Sequence, residues 1–372
     1  MPQPIIPTQH RPVRSVSPSR VQKGKNVPRI RTLSLLGSAS EMQRDPLGFL
    51  TRTQAYGDVV RMRFLFSPAY LISHPESIKH ILQENYRNYN KDLVTYKMLE
   101  PVLGRGLLTN DGQSWLHQRR LIQPAFHRKR LMTYGTSMTD ATIPMLEQWQ
   151  DCSERGMPLN IAEEMMRLTL RIVGQALFSL DLSQETSTFG LAVTTVLELL
   201  ADYVYRPFPP LSVPIPRNRR LQRAIHALDR LVYRIIAERR TAQMDTGDLL
   251  SMLLLAQDEE TGQGMSDRQV RDEVQTLLLA GHETTANTLS WTWYLLSEHP
   301  EIERRLHAEL NDVLGGRIPT VEDLPDLKYT RMVLEEALRL YPAAPIISRK
   351  AIADDELKGC TIPANSMVMI SP

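Results

Sequence analysis

The sequence predicts a mainly α-helical protein with a small β-sheet region, and two observations support this fold class. Apolar residues recur at helical three- and four-residue spacing through most of the chain from Asp111 to Leu340. Runs with strand-like composition cluster instead near the two ends of the chain. These runs are residues 58–66, 69–74, 345–352 and 359–371. We therefore expect a helical core and one minor sheet drawn from both ends.

Composition limits the class of protein. The chain has 372 residues, and its hydrophobic fraction of 42% is enough for a sizeable core. The net charge of +2 gives no indication of nucleic-acid binding. Residues 1–31 hold seven Arg or Lys and no acidic residue, and six prolines stand in the first 28 positions. Because prolines oppose a helix, we expect a flexible basic tail over 1–27 and one structured domain over 28–372.

The expected location is cytoplasmic. No apolar run reaches the ~18 residues that a membrane span needs, and the start of the chain lacks the apolar core of a signal peptide. The two cysteines, Cys152 and Cys360, lie far apart and in no metal or disulfide spacing, which suits a reducing compartment. The apolar residues around Phe208 suggest a hydrophobic access route and peripheral contact with a membrane.

Helix boundaries follow from proline, glycine and capping residues. Pro75 and Pro300 stand where helices begin, Asp111 and Ser266 or Asp267 are candidate N-caps, and Gly315 ends a helix. The segment 206–218 contains five prolines and must interrupt the helices on either side. Residues 91–110 are expected to form a loop with a short helix. The other predicted helices are 75–85, 111–134, 136–151, 158–179, 217–240, 248–258, 267–299, 300–314 and 328–340.

The centre of the long helix predicted at 267–299 is unusual. Its sequence Ala280-Gly-His-Glu-Thr-Thr285 places poor helix formers in an apolar helix. Ala280 lies one turn before Thr284, so a small-residue gap adjoins a hydroxyl, and a Thr hydroxyl can bond back to the preceding turn. A zinc site of the His-Glu-x-x-His type is excluded because position 286 is Ala. The alternative to a ligand site is a helix–helix crossing at Gly281.

Two further pairs stand at helical spacing. Trp115 and Arg119 lie on one face and are both donors, which suits the carboxylates of a ligand, although a stacked surface pair is the alternative. Glu336 and Arg339 can form an ion pair, and their apolar neighbours predict partial burial. Phe126 is expected in the core.

Taken together, these segments resemble the cytochrome P450 family of heme-thiolate monooxygenases. The resemblance covers about residues 28–372 and rests on three motifs in the expected order: Trp-Leu-His-Gln-Arg at 115–119, Ala-Gly-His-Glu-Thr-Thr at 280–285, and Glu-Ala-Leu-Arg at 336–339. Arg349 fits the spacing of a second propionate-binding position. The implied fold is the cytochrome P450 fold, and the implied cofactor is heme b.

The resemblance also implies roles for individual residues. Ala280 and Gly281 leave room for the heme face and dioxygen. Thr284 orients oxygen and its protons, and Glu283 supplies those protons. Trp115, Arg119 and Arg349 neutralise the heme propionates. Glu336 and Arg339 hold the scaffold behind the heme. The substrate pocket is expected to draw on residues 91–108, 201–216 and the Ala280 face.

One part of the family pattern is missing from this sequence. The family's axial ligand is a Cys in a Phe-x-x-Gly-x-x-x-Cys-x-Gly loop, and no Phe follows Phe208. Neither Cys152 nor Cys360 has that context. We therefore expect a cytochrome P450 domain that is incomplete at its C-terminal end, and no metal ligand within these residues.

The predicted parent activity is monooxygenation of a lipophilic substrate with O2 and electrons from a ferredoxin, flavodoxin or reductase. The basic residues Arg128 to Arg130 indicate an acidic donor of this kind, and the alternative is an ordinary solvated face. The alternatives are an inert truncated fragment, or a helical protein that binds lipophilic ligands. No nucleic-acid partner is expected.

Overall fold

The computed structural model describes residues 27–30, 37–65, 67–182, 190–205, 209–242, 245–257 and 262–371. The helices in these ranges are α1 Ala39–Arg44, α2 Pro46–Gln54, α3 Pro75–Lys79, α4 Val94–Leu103, α5 Gly112–Ile122, α6 Arg128–Glu154, α7 Ile161–Phe178, α8 Leu191–Tyr205, α9 Pro216–Ala242, α10 Leu249–Leu255, α11 Asp267–Glu298, α12 Pro300–Leu314 and α13 Lys328–Leu340. The strands are β1 Val59–Phe64, β2 Ser67–Ile72, β3 Tyr89–Asn90, β4 Ile347–Ala351, β5 Asp355–Leu357, β6 Cys360–Ile362 and β7 Met367–Ile370. The predicted mainly helical fold with a small sheet is confirmed.

The main sheet joins the two ends of the chain, as the sequence predicts. Its strand order is β1-β2-β7-β4-β3, with β2 and β7 parallel in the register Ala69 to Met367. Every residue of β7 is buried, which fits its uninterrupted apolar sequence in the middle of the sheet. The sheet therefore places β4, and Arg349 within it, between β7 and the N-terminal strand β3.

Helix α11 runs through the helical core. Val270, Val274 and Leu278 on one face are fully buried among residues of α7, α9 and α10. Ser266 caps the helix by accepting from the Gln269 backbone N–H, and the Gln269 side chain accepts in return from the Ser266 N–H. The predicted start at Ser266 or Asp267 and the end near His299 are confirmed.

The predicted helix at 111–134 is wrong in its extent. A 3-10 turn at Gln123–Phe126 separates α5 from α6, because Pro124 lacks the N–H that would continue the ladder. Helix α6 then continues through Gly135 without a break. The turn buries Ala125 and leaves Phe126 47% exposed, so the expected core position of Phe126 is also wrong.

Two predictions fall outside the described residues, namely the flexible tail before residue 27 and the apolar segment around Phe208. Among the helices that the structure describes, none combines the length and the apolar character required to cross a membrane.

The capping box predicts a measurable contribution of Ser266 to stability. We expect Ser266→Ala to lower the free energy of unfolding by about 1 kcal/mol, because a helix donor at the start of α11 loses its acceptor. Ser297→Ala is the matched control, since the Ser297 hydroxyl only donates to Tyr294 O at the other end of α11. Denaturant unfolding of both variants checks this, and equal midpoints would contradict the role of the cap.

Candidate functional site

A cavity of about 770 Å³ lies between the N-terminal half of α11, the segment from Lys91 to Trp115, and the inner face of the main sheet. Its lining residues are Met42, Phe64, Lys91, Thr95, Tyr96, Leu99, Leu107, Leu108, Trp115, Thr276, Leu277, Ala280, Ala344, Ile346, Ile347, Ser348, Arg349, Met367 and Met369. The cavity thus brings together Trp115, Ala280 and Arg349, which lie far apart in the sequence. Six of these lining residues come from 91–108 and none comes from 201–216, and the assignment of this cavity to a substrate stays a prediction.

The small-residue gap of α11 opens toward this cavity. Ala280 lines it and is exposed, as are Thr284 and Thr285 on the following turn. The Thr284 hydroxyl donates to Ala280 O at 2.5 Å, which is the back-bond expected from the sequence. This bond occupies the hydroxyl proton and leaves the oxygen of Thr284 free to accept from a ligand or water.

Gly281 lies elsewhere on the helix. It does not line the cavity, and a Cβ at this position would contact Val173 Cγ2 of α7 at 3.2 Å. The placement favours the helix-crossing alternative for Gly281, while Ala280 alone provides the gap toward the cavity.

His282 and Glu283 are held in an apolar setting beside the gap. The His282 Nε2 bonds Met166 O of α7 at 3.0 Å and ties the two helices together. Burial raises the pKa of Glu283 above its usual value. A carboxyl with a raised pKa keeps its proton to higher pH, so Glu283 is suited to supply one.

The face predicted for Trp115 and Arg119 contains a stacked pair. The Arg119 guanidinium lies 5.2 Å from the centroid of the Trp115 ring. Trp115 itself lines the cavity, whereas Arg119 does not. Arg119 therefore lies outside the lining and packs against the Trp115 ring, which forms part of the cavity wall.

Arg349 extends from β4 into the cavity lining. Its Nη1 donates to Tyr96 Oη at 3.0 Å and to Ser348 O at 2.8 Å. Among the described residues, no carboxylate pairs with Arg349, although Lys350 next to it pairs with Asp92. The guanidinium is thus held in place by neutral acceptors.

Lys91 is a second cation in the cavity lining, and the sequence analysis missed it. Its Nζ donates to the carbonyls of Leu107, Leu108 and Asn110 and lies 5.4 Å from the Trp115 ring centroid. Burial, and next the charge of Arg349, lower the pKa of Lys91 to about 8. Lys91 follows a two-residue strand in an irregular segment, so no periodic signal marks it.

The lining divides into two kinds of chemistry. Two cations and the Trp115 indole face the same volume, and the part of the chain that the structure describes places no acidic side chain in that lining. The remaining walls are apolar apart from a few hydroxyl groups. Such a lining fits a flat, largely apolar molecule that carries carboxylates at one edge. Cys152 and Cys360, the only cysteines of the sequence, are not in the lining.

The expected partial burial of Glu336 and Arg339 is wrong. The two side chains form a bidentate ion pair on α13 but are 55% and 66% exposed. Leu338 and Leu340 beside them are themselves exposed at 43% and 42%, because little packs on this face of α13. The side chains of Arg128 to Arg130 lie outside the described residues, so their predicted role stays untested.

Comparison of the sequence with known proteins gives one family. The sequence model of the family described as Cytochrome P450 matches residues 27–372. Cyclooctat-9-en-7-ol 5-monooxygenase of Streptomyces melanosporofaciens is 41% identical over 345 residues, which cover 91% of this chain and 73% of that protein. Cyclooctatin synthase of the same species is 40% identical, and pentalenene oxygenase of Streptomyces avermitilis is 35% identical; each match covers 91% of this chain and 74% of the relative.

The lowered pKa of Lys91 predicts a change in the pH dependence of stability. Lys91 loses its proton near pH 8 in the folded chain and near 10.5 in the unfolded chain, so between these values the unfolded chain binds more protons. Stability relative to Lys91→Met should therefore rise with pH over this window, by about 2 kcal/mol after allowance for residual solvation. Denaturant unfolding from pH 7.5 to 10.5 measures this difference, and parallel curves for the two proteins would contradict the assignment.

Proposed function

Since the chain belongs to the cytochrome P450 family of heme-dependent monooxygenases, we propose that it inserts one oxygen atom of O2 into a lipophilic substrate held in this cavity. The observation that carries the proposal is the shared lining of Trp115, Lys91, Arg349 and the Ala280 gap. The reaction is a hydroxylation, and the form of heme we propose is heme b.

The cavity residues fit both the propionates and the flat ring of this cofactor. Trp115, Arg349 and Lys91 would hold the propionates, with Arg119 stacked behind the indole and supporting it. The apolar walls and Ala280 would accommodate the flat ring. When bound, the heme supplies the oxygen-activating chemistry, and the protein orients and tunes it.

Thr284 and Glu283 are the residues that we assign to proton handling. The Thr284 oxygen can accept a hydrogen bond while its own proton is held by Ala280 O. Glu283 is half-buried on the same turn, and burial raises its pKa, so its carboxyl keeps a proton to higher pH than an exposed glutamate does. We propose that Thr284 orients dioxygen and that Glu283 replenishes the protons consumed beside it.

The substrate we propose is a mostly hydrocarbon, unsaturated molecule with at most a hydroxyl group. The names of two relatives describe an oxygenase of pentalenene and a 5-monooxygenase of cyclooctat-9-en-7-ol. Leu99, Leu277 and Ile346 are typical of the cavity walls and suit such a molecule. The proposed electron donor is a ferredoxin, flavodoxin or reductase, and the proposed location is the cytoplasm.

A second candidate function is binding without turnover. It is favoured by one observation: neither Cys152 nor Cys360 contributes to the cavity lining. A chain that binds heme or a lipophilic ligand in this cavity without thiolate ligation would not cleave dioxygen in the manner of the family.

One experiment separates the two candidates. The purified chain is titrated with hemin, then reduced under carbon monoxide, and finally supplied with a ferredoxin and reductase, a cyclic alkene and ¹⁸O2. A thiolate-type red-shifted absorption band and a product that carries one ¹⁸O atom support monooxygenation. Hemin binding with neither result supports binding without turnover, and no hemin binding would contradict monooxygenation as well as binding of heme without turnover.

Arg349 should control affinity for the cofactor. We expect Arg349→Met to weaken hemin binding about 10- to 100-fold, since a hydrogen bond to a charged group contributes about 1.5–3 kcal/mol. Arg331→Met is the control, because Arg331 is an exposed arginine on α13 whose one ion-pair partner among the described residues is Glu335. Spectral titration with hemin measures both variants, and an equal effect of the two would count against the clamp.

Thr284 should affect the coupling of oxygen use to product. In a form of the protein with turnover, we expect Thr284→Ala to lower the product formed per O2 consumed several-fold, because no hydroxyl remains to orient the oxygen. Thr288→Ala is the matched control, since the Thr288 hydroxyl makes the same back-bond one turn later, to Thr284 O at 2.8 Å. Oxygen-electrode and product measurements decide this, and unchanged coupling in Thr284→Ala would refute the role.

A further inference from the structure

The loop between α4 and α5, residues 104–110, forms one wall of the cavity through Leu107 and Leu108. It has no strand or helix of its own; backbone hydrogen bonds shape its turns, and side chains that bond its backbone attach it to neighbouring elements. Two of these side chains are adjacent acids on α11. Asp272 Oδ2 accepts from the Arg105 N–H at 2.9 Å, and Glu273 Oε2 accepts from the Leu107 N–H at 2.9 Å.

The loop approaches α11 so closely that only glycine fits at two of its positions. A Cβ on Gly104, which has a φ of +55°, would lie 1.9 Å from Asp272 Oδ1. A Cβ on Gly106 would lie 2.2 Å from Thr276 Oγ1 and 2.7 Å from the Asp272 carbonyl oxygen. The contact between loop and helix is therefore a close backbone approach rather than a chance surface bond.

The two acids are almost completely buried, at 4% exposure for Asp272 and 0% for Glu273. Asp272 is balanced by Arg271, whose Nη1 donates to its Oδ1 at 2.9 Å. No cation of the described residues pairs with Glu273, and its Oε1 has no hydrogen-bond partner there. Burying a carboxyl lowers stability unless a cation or hydrogen bonds compensate for the lost water. The incomplete bonding of Glu273 therefore calls for an explanation.

Lys91 holds the same loop from the opposite side through the carbonyls of Leu107, Leu108 and Asn110. The N–H of Leu107 thus bonds Glu273 while its carbonyl bonds Lys91. If Glu273 releases the Leu107 N–H, the loop can move away from α11 and Lys91 loses its acceptors. The Leu107 residue therefore links the cavity cation to the buried acid on α11.

We propose that Asp272 and Glu273 are positioning residues that fasten the 104–110 loop to α11, and thereby set the cavity wall and the orientation of Lys91. Glu273 is the more informative residue to substitute. Asp272 also bonds Arg271, whereas the hydrogen bond that Glu273 accepts comes from the loop. The contact between these two acids and the loop does not require a ligand. Its importance for the reaction rests on the proposed function.

The protonation of Glu273 makes a conservative replacement informative. The pKa of Glu273 is raised to about 7, chiefly by burial and in smaller part by the charge of Asp272, while the Leu107 N–H and Lys91 act in the opposite direction. The neutral acid is therefore a main species near pH 7, and Gln is its close mimic. Gln keeps a carbonyl oxygen that can accept the Leu107 N–H, whereas Leu keeps only the bulk.

The test compares Glu273→Gln, Glu273→Leu and Gln275→Leu in the ligand-free chain at pH 7. Gln275 is the matched control, since it is 0% exposed on the same helix but donates to Asp229 rather than to the loop. Hydrogen exchange by mass spectrometry follows peptides that span 104–110, and the acetylation rate reports the reactivity of Lys91. A peptide from the buried part of α7 shows whether the whole protein has been destabilised.

We expect Glu273→Leu to accelerate exchange in 104–110 at least 10-fold and to raise Lys91 acetylation several-fold, with α7 unchanged. Glu273→Gln and Gln275→Leu should both stay within about 2-fold of the parent chain. Unchanged exchange in Glu273→Leu, or an equal effect of Glu273→Gln, would overturn the proposal.

A hemin titration of the same proteins keeps the two proposals apart. Weaker binding by Glu273→Leu than by Glu273→Gln supports the positioning role, and equal binding despite a loosened loop would overturn it. Failure of the parent chain to bind hemin counts against the proposed function alone, because the exchange and acetylation results still decide whether the acids fasten the loop.

Discussion

Two cations that share one largely apolar cavity are the constraint on which the rest of this structure depends. Lys91 and Arg349 repel each other and are partly desolvated, and the described lining offers them no acid. Neutral acceptors hold both in place, namely loop carbonyls for Lys91 and the Tyr96 hydroxyl with Ser348 O for Arg349. The protein thus maintains an unfavourable charge arrangement, which a ligand with carboxylates would relieve.

The elements of the fold converge on this arrangement. The sheet pairs β2 with β7 and β7 with β4, and so carries Arg349 from the end of the chain to the cavity. The loop before α5 brings Trp115 and Lys91 together, and α11 anchors that loop through adjacent buried acids. This explains the unusual residues in the middle of α11. Ala280 leaves space beside the cavity, and Thr284 donates to the Ala280 carbonyl while its own oxygen can still accept a hydrogen bond.

Much of the fold could be predicted from local signals. Helix α11, its start at Ser266 or Asp267, and the sheet drawn from both ends were predicted from spacing, capping residues and strand-like composition. The errors arose where contacts between residues far apart in the sequence determine how buried a side chain is. Phe126 and the Glu336–Arg339 pair have apolar neighbours in sequence, but the described fold leaves about half or more of each side chain exposed. Gly281 could not be assigned to cavity or crossing until α7 was placed beside it, and Lys91 and Glu273 acquire their meaning only from contacts made across the fold.

The central claim is that the cavity cations recognise carboxylates on a flat ligand, and it can be tested by changing the ligand alone. Hemin and its dimethyl ester have the same ring, but only hemin carries free propionates. We expect the chain to bind hemin at least about 10-fold more tightly than the ester, since hydrogen bonds to charged groups contribute about 1.5–3 kcal/mol each. Equal affinity for the two compounds would contradict the claim, because the ring alone would then account for binding.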